Sequence, residues 1–161
     1  MPNNANADKV SGTLKYLAIS MLAVSFLGFI DATYLTVSRF TGASLPCTLT
    51  HACDTVTRSE YSVILGIPVV ILGMAYYLSV FFGSYLYLEY RSRLYFKITA
   101  AMTVFGFLFS AWFVYVQLGI LQAICQYCML SALTSTILFI QGMWVLKTSA
   151  SSQLPSATDQ E

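Results

Sequence analysis

Four apolar stretches, each long enough to cross a bilayer, leave this chain few folds to choose from. They run from about Leu14 to Ser38, from Val63 to Tyr87, from Phe96 to Leu118, and from Cys125 through Leu146. Roughly 20 apolar residues in helical form span a hydrocarbon core. Lipid offers no partner to backbone N–H and C=O groups, so each stretch must satisfy them internally, which a helix does. Only 9% of the residues are charged, whereas a soluble domain carries about 25%; such a chain cannot cover a water-facing surface. The expected fold is all-α, an integral membrane four-helix bundle. A net charge of +1 with no basic cluster argues against a nucleic-acid partner.

The polar segments divide the rest. Residues 1–12 are small and polar without a signal-peptide cleavage pattern, and residues 148–161 are Ser-rich. Both read as tails flanking a bundle domain over 13–147. The longest polar connection, Arg39 to Ser62, carries Cys47, His51 and Cys53. Gly42 and Pro46 interrupt any helix there, and Asp54 is placed to cap a short one. A connection of that length is functional or disordered, and its two cysteines favour function. Arg58 and Glu60 are expected to form an ordinary loop charge pair, and His51 is given no role. Gly66-Ile67-Pro68 and Gly73 interrupt the second span, while Phe105, Phe109 and Trp112 recur at helical spacing on the third. Asp31 is the ionisable group within the first span, expected to face the bundle or reach its edge.

Four crossings put both tails and the second link on one side, with Lys9, Lys15, Arg91, Arg93, Lys97 and Lys147; the other side holds Arg39 and Arg58. The positive-inside rule makes the basic side cytoplasmic. Cys47, Cys53, Cys125 and Cys128 then share the exoplasmic face of a plasma (inner) membrane, where disulfides persist.

Cys125-Gln-Tyr-Cys128 heads the fourth span. That spacing puts both sulfurs in a first helical turn, where the amide groups favour a thiolate. A thiolate is the attacking species in disulfide exchange. The same residues also suit a structural disulfide, part of a metal site with Cys47 and His51 or Cys53, or simple packing.

Taken together, Cys47-x5-Cys53, Ser59-x-Tyr61-Ser62, Leu65-Gly66-Ile67-Pro68 and Cys125-x-x-Cys128 resemble the vitamin K epoxide reductase family, in its bacterial and plant-like form. The resemblance covers nearly everything between the tails. It implies a four-helix bundle around a quinone of the ubiquinone or menaquinone type, with a long cysteine-bearing exoplasmic loop between helices 1 and 2. It implies a role for each cysteine. Cys128 would stand beside the quinone, Cys125 would pair with it, Cys53 would exchange with Cys125, and Cys47 would meet an external redox protein. Ser59 matches the family serine near the quinone pocket. Many bacterial members carry a fused thioredoxin-like domain, and this sequence stops soon after its fourth span. The implied partner is therefore a separate thioredoxin-fold protein, and the implied activity a quinone-dependent oxidation of its thiols that supports disulfide formation in exported proteins. Animal members place a Tyr where this chain has Ala132, and space their loop cysteines more widely. Vitamin K epoxide reduction proper is the alternative, with a cysteine-ligated metal site behind it.

Overall fold

The computed structural model describes residues 4–42 and 53–151. In chain order it contains helix α1 (Asn4–Thr41), the short α2 (Cys53–Arg58), a 3₁₀ turn (Glu60–Ser62) and strands β1 (Val63–Ile64) and β2 (Ile67–Pro68). Helices α3 (Val69–Tyr90) and α4 (Arg93–Tyr115), a π-helical turn (Val116–Leu121) and α5 (Gln126–Ser151) complete it. The chain is an all-α membrane bundle. Four helices are long and apolar enough to cross a bilayer, over Ser11–Thr41, Val69–Tyr90, Leu94–Leu121 and Gln126–Thr148. Between 17% and 28% of each span is buried within the protein, so most apolar side chains, Phe26, Leu27 and Leu133 among them, point outward. That arrangement is stable only where the surrounding medium is itself apolar.

The helices close into a ring: α1 packs on α3 and α5, and α4 packs on the same two from the opposite side. Small residues set the closest crossings. Gly28 of α1 lies directly against the ring of Tyr77 on α3, where a Cβ would collide. Tyr77 is buried, and its hydroxyl donates to the Ser131 carbonyl at 2.7 Å, with Thr134 Oγ1 2.8 Å away. One side chain thus joins three helices. The main core runs through Leu14, Met21, Tyr77, Val80, Phe96 and Leu138. A second cluster at the other end gathers Leu35, Cys53, Val56 and Cys125.

Four boundaries depart from the expectations. Helix α1 starts at Asn4, within the stretch read as a tail, and α5 continues to Ser151. Neither extension contains a proline, and a helix already nucleated in the membrane elongates at little cost even through Ser11-Gly12. The second span does not begin near Val63. Val63 pairs with Pro68 and Ile64 with Ile67 in a tight hairpin, and the helix starts at Val69. Leu65 (φ 51°) and Gly66 (φ 83°) form the turn in the left-handed region. Pro68 cannot donate a ladder or helix bond and holds the residue before it extended. The third span likewise runs on, through the π turn to Leu121, beyond the expected end near Leu118.

Candidate active site

The first residue of the Cys-x-x-Cys lies just outside α5, and the second lies within its first turn. Cys125 accepts the first helical bond on its carbonyl, from the Met129 N–H at 3.0 Å. Its Sγ accepts from the Cys128 N–H at 3.4 Å. This is the N-cap arrangement with sulfur in place of the usual oxygen. Sequence spacing had suggested both sulfurs inside the turn; the capping position instead aims Cys125 Sγ at the helix amides. A hydrogen bond from the Cys128 thiol holds the Cys125 thiol below its ordinary value, and the Cys128 and Tyr127 amides act the same way against an opposing effect of burial. The Tyr127 ring packs on Tyr34 of α1, centroids 5.2 Å apart.

Across from Cys125 lies α2. Cys53, its first residue, is disulfide-bonded and buried in the cluster that contains Cys125. Cys125 and Cys128 are free thiols. Cys47 and His51 lie outside the described residues. Arg39, the last cation of α1, holds α2 in place: its Nη1 donates to the Thr57 carbonyl and, at 2.9 Å, to Ser62 Oγ. Arg58 donates to the Gly42 carbonyl at 3.2 Å, in place of the expected pairing with Glu60.

A cavity of about 540 Å³ opens beside Cys128. All four long helices contribute to its wall, with Thr57 of α2 and Ser62 of the 3₁₀ turn at the loop side. The wall is predominantly apolar, with few hydroxyls, a composition suited to a small lipid-soluble molecule. Phe105, Phe109 and Trp112, singled out by their spacing, all line it. Gly73 lines it too, and the space where its side chain would begin is open. Ser59 is placed otherwise. Its hydroxyl donates to the Val56 carbonyl at 2.8 Å, and the serine of this loop segment that reaches the cavity wall is Ser62. Ala132 also lines the cavity and brings no hydroxyl to it.

Two polar groups lie near the cysteines: Asp31, expected from the sequence to face the bundle or reach its edge, and Gln117, which only the packing singles out. Asp31 is 8% exposed and faces the bundle, and its Oδ2 has no hydrogen-bond partner among the described residues. Gln117, fully buried in the π turn, accepts from the Cys125 N–H at 3.0 Å. A lone amide inside an apolar run was the only sequence signal for it.

The cavity, its size and the thiol at its wall fit a quinone ring with apolar substituents. The model of the vitamin K epoxide reductase family matches residues 19–142, a stretch that contains the described cysteines, the hairpin and every cavity residue. By that match, and by the four membrane-spanning helices that carry it, the chain belongs to the vitamin K epoxide reductase family, whose members are multi-pass membrane oxidoreductases working between disulfides and quinones.

Proposed function

We propose that this protein oxidises the dithiol of a thioredoxin-fold partner through Cys47 and Cys53 and delivers the electrons through Cys125 and Cys128 to a quinone in the cavity. The observation that carries this reading is the shared burial of Cys53 and Cys125 in one cluster while Cys128, three residues on, lines the cavity. A thiol in water cannot reach an acceptor in lipid, so two exchanging pairs bridge the boundary. A partner thiolate attacks Cys47 and releases Cys53 as a thiolate; the second partner thiol completes the partner's disulfide and frees Cys47. The Cys53 thiolate then attacks Cys125 of an oxidised Cys125–Cys128 pair, releasing Cys128. Cys47 resolves the mixed disulfide, leaving Cys125 and Cys128 reduced. Each exchange breaks one S–S bond and forms one, so only the partner is oxidised and only the inner pair reduced. A quinone, when bound, accepts the two electrons and two protons that the inner dithiol gives up. Thr57, Ser62 and Ser131 would bound it on the polar side, and Phe105, Phe109 and Trp112 on the apolar side. Ser59 would act by supporting α2.

We place the cysteine end of the bundle on the exoplasmic face of a plasma (inner) membrane, with both termini cytoplasmic, on the strength of the six-to-two bias of Lys and Arg. Disulfide formation in exported proteins is the process this topology serves. Ala132 favours plain quinone reduction over epoxide reduction, since no hydroxyl from that position is available to an epoxide oxygen.

The test is turnover with two reductants. Cys125→Ala and Cys128→Ala are expected to abolish quinone reduction by either a thioredoxin-fold protein or a small dithiol. Cys47→Ala is expected to block the protein and spare the small dithiol. Full activity of Cys47→Ala with the protein partner would overturn the order of the relay. Impermeant maleimide reaching either pair from the cytoplasmic side would overturn the topology.

A further inference from the structure

Gln117 makes contacts that the relay, as stated, leaves unused. Its main-chain carbonyl accepts from the N–H groups of Gln122 and Ala123, closing the π turn, and its side-chain Oε1 accepts from the Cys125 N–H at 3.0 Å. The amide orientation follows from chemistry, because only the oxygen can face an N–H. The other end, Nε2, is buried without a hydrogen-bond partner among the described residues. A buried donor left unpaired costs stability, and an apolar residue of similar volume avoids that cost. Fold stability alone is therefore a poor reason for an amide here.

The other consequence of this contact is geometric. Residues 122–125 join the π turn to α5 outside either helix, starting from the left-handed Gln122 (φ 49°). Gln117 contributes three of the bonds that set their course into α5. Two of its three bonds use main-chain atoms that any side chain would retain; the third, to Cys125, depends on the amide oxygen. Where that acceptor is absent, a buried N–H lacks a partner and the segment shifts to find one. A shift of Cys125 takes its sulfur off the axis of α5.

We propose that Gln117 is a positioning residue that fixes Cys125 as the N-cap of α5 and so maintains the reactivity of its sulfur. The residue does not touch the reacting atoms; it sets where one of them sits. Helix amides lower a thiol's pKa only when the sulfur lies close to and in line with them. The functional meaning of this role rests on the relay proposed above, while the role itself concerns the thiol alone.

The experiment uses the full chain, reduced, in detergent micelles, with no quinone and no partner. A small methanethiosulfonate reports the pH profile of Cys125 modification, resolved by peptide, and hydrogen exchange reports the amide of Cys125. In Gln117→Met the Cys125 profile is expected to move up by about one pH unit, a roughly tenfold loss of reactivity below the midpoint, with faster exchange confined to residues 122–128. In Gln117→Glu a carboxyl oxygen remains to accept the Cys125 N–H, so exchange protection at that amide is expected to persist. A wild-type profile in folded Gln117→Met overturns the proposal. If Gln117→Met does not fold, loss of Cys125 amide protection in Gln117→Glu overturns it and retention supports it. Failure of quinone turnover in the unsubstituted protein would count against the relay and leave these thiol measurements standing.

Discussion

The N–H of Cys128 donates to the Sγ of Cys125 at 3.4 Å, so one sulfur of the motif caps the helix that carries the other. The pair is chemically unequal as a result. Cys125 is buried in one cluster with Cys53 and caps the helix amides, whereas Cys128 lines the cavity. A relay needs that inequality, because one sulfur must take electrons from a protein and the other must present them to a small acceptor.

The depressed Cys125 pKa sets a sign for the pH dependence of the reduced protein. An acid whose folded pKa lies below its unfolded value contributes stability above the unfolded pKa, near 8.5 for a free thiol, and loses it as pH falls through the folded value. Thermal unfolding of the reduced protein is expected to shift upward as pH rises across that window, and Cys125→Ala is expected to flatten the trend. A trend of equal slope in the variant would show that another group is responsible.

Tyr77→Phe removes a hydroxyl that lies within hydrogen-bonding distance of Ser131 O, Ser131 Oγ and Thr134 Oγ1. The change leaves the ring in place, so the cavity wall survives. Thr134 Oγ1 still donates to the Ser131 carbonyl, so a loss of about 0.5–1.5 kcal/mol is expected from the missing hydrogen bond, read as a lower unfolding midpoint in detergent.

Gly28→Ala places a methyl group against the Tyr77 ring. Overpacking at such a contact costs about 1–3 kcal/mol. Gly12→Ala is the control, because nothing lies within 4 Å of the added atom there. Destabilisation by the first change and not the second is the expected result of differential unfolding.

Gly73→Phe fills cavity space that is open in the structure. The KM for quinone is expected to rise at least tenfold, with the Cys125 thiol profile unchanged. An unchanged KM would place the acceptor elsewhere.

Arg39→Met releases Thr57 and Ser62 from α1. Formation of a Cys53–Cys125 cross-link under mild oxidation is expected to slow several-fold, because α2 is no longer held over Cys125. Non-reducing electrophoresis of a Cys47→Ala/Cys128→Ala background measures it.

Much of this architecture was legible before any coordinates. Length and apolarity demanded four spanning helices, since lipid leaves backbone groups no alternative, and the spacing of Phe105, Phe109 and Trp112 put three cavity residues on one face of α4. The hairpin at Val63–Pro68 was not legible, because Val, Ile and Leu read alike in a strand and at the start of a membrane helix. Its turn depends on Leu65, 98% exposed, adopting the left-handed backbone that a two-residue hairpin requires and that a leucine does not favour.

The amino-acid sequence by itself determined the solvent, the number of crossings and which residues carry sulfur, because these follow from composition and from local spacing. Tertiary structure alone decided that Cys53 and Cys125 share one buried cluster, that Ser62 and not Ser59 lines the cavity, and that Gln117 holds Cys125. Those relations join residues from different helices and loops, and only the packing of one helix on another determines which of their side chains meet.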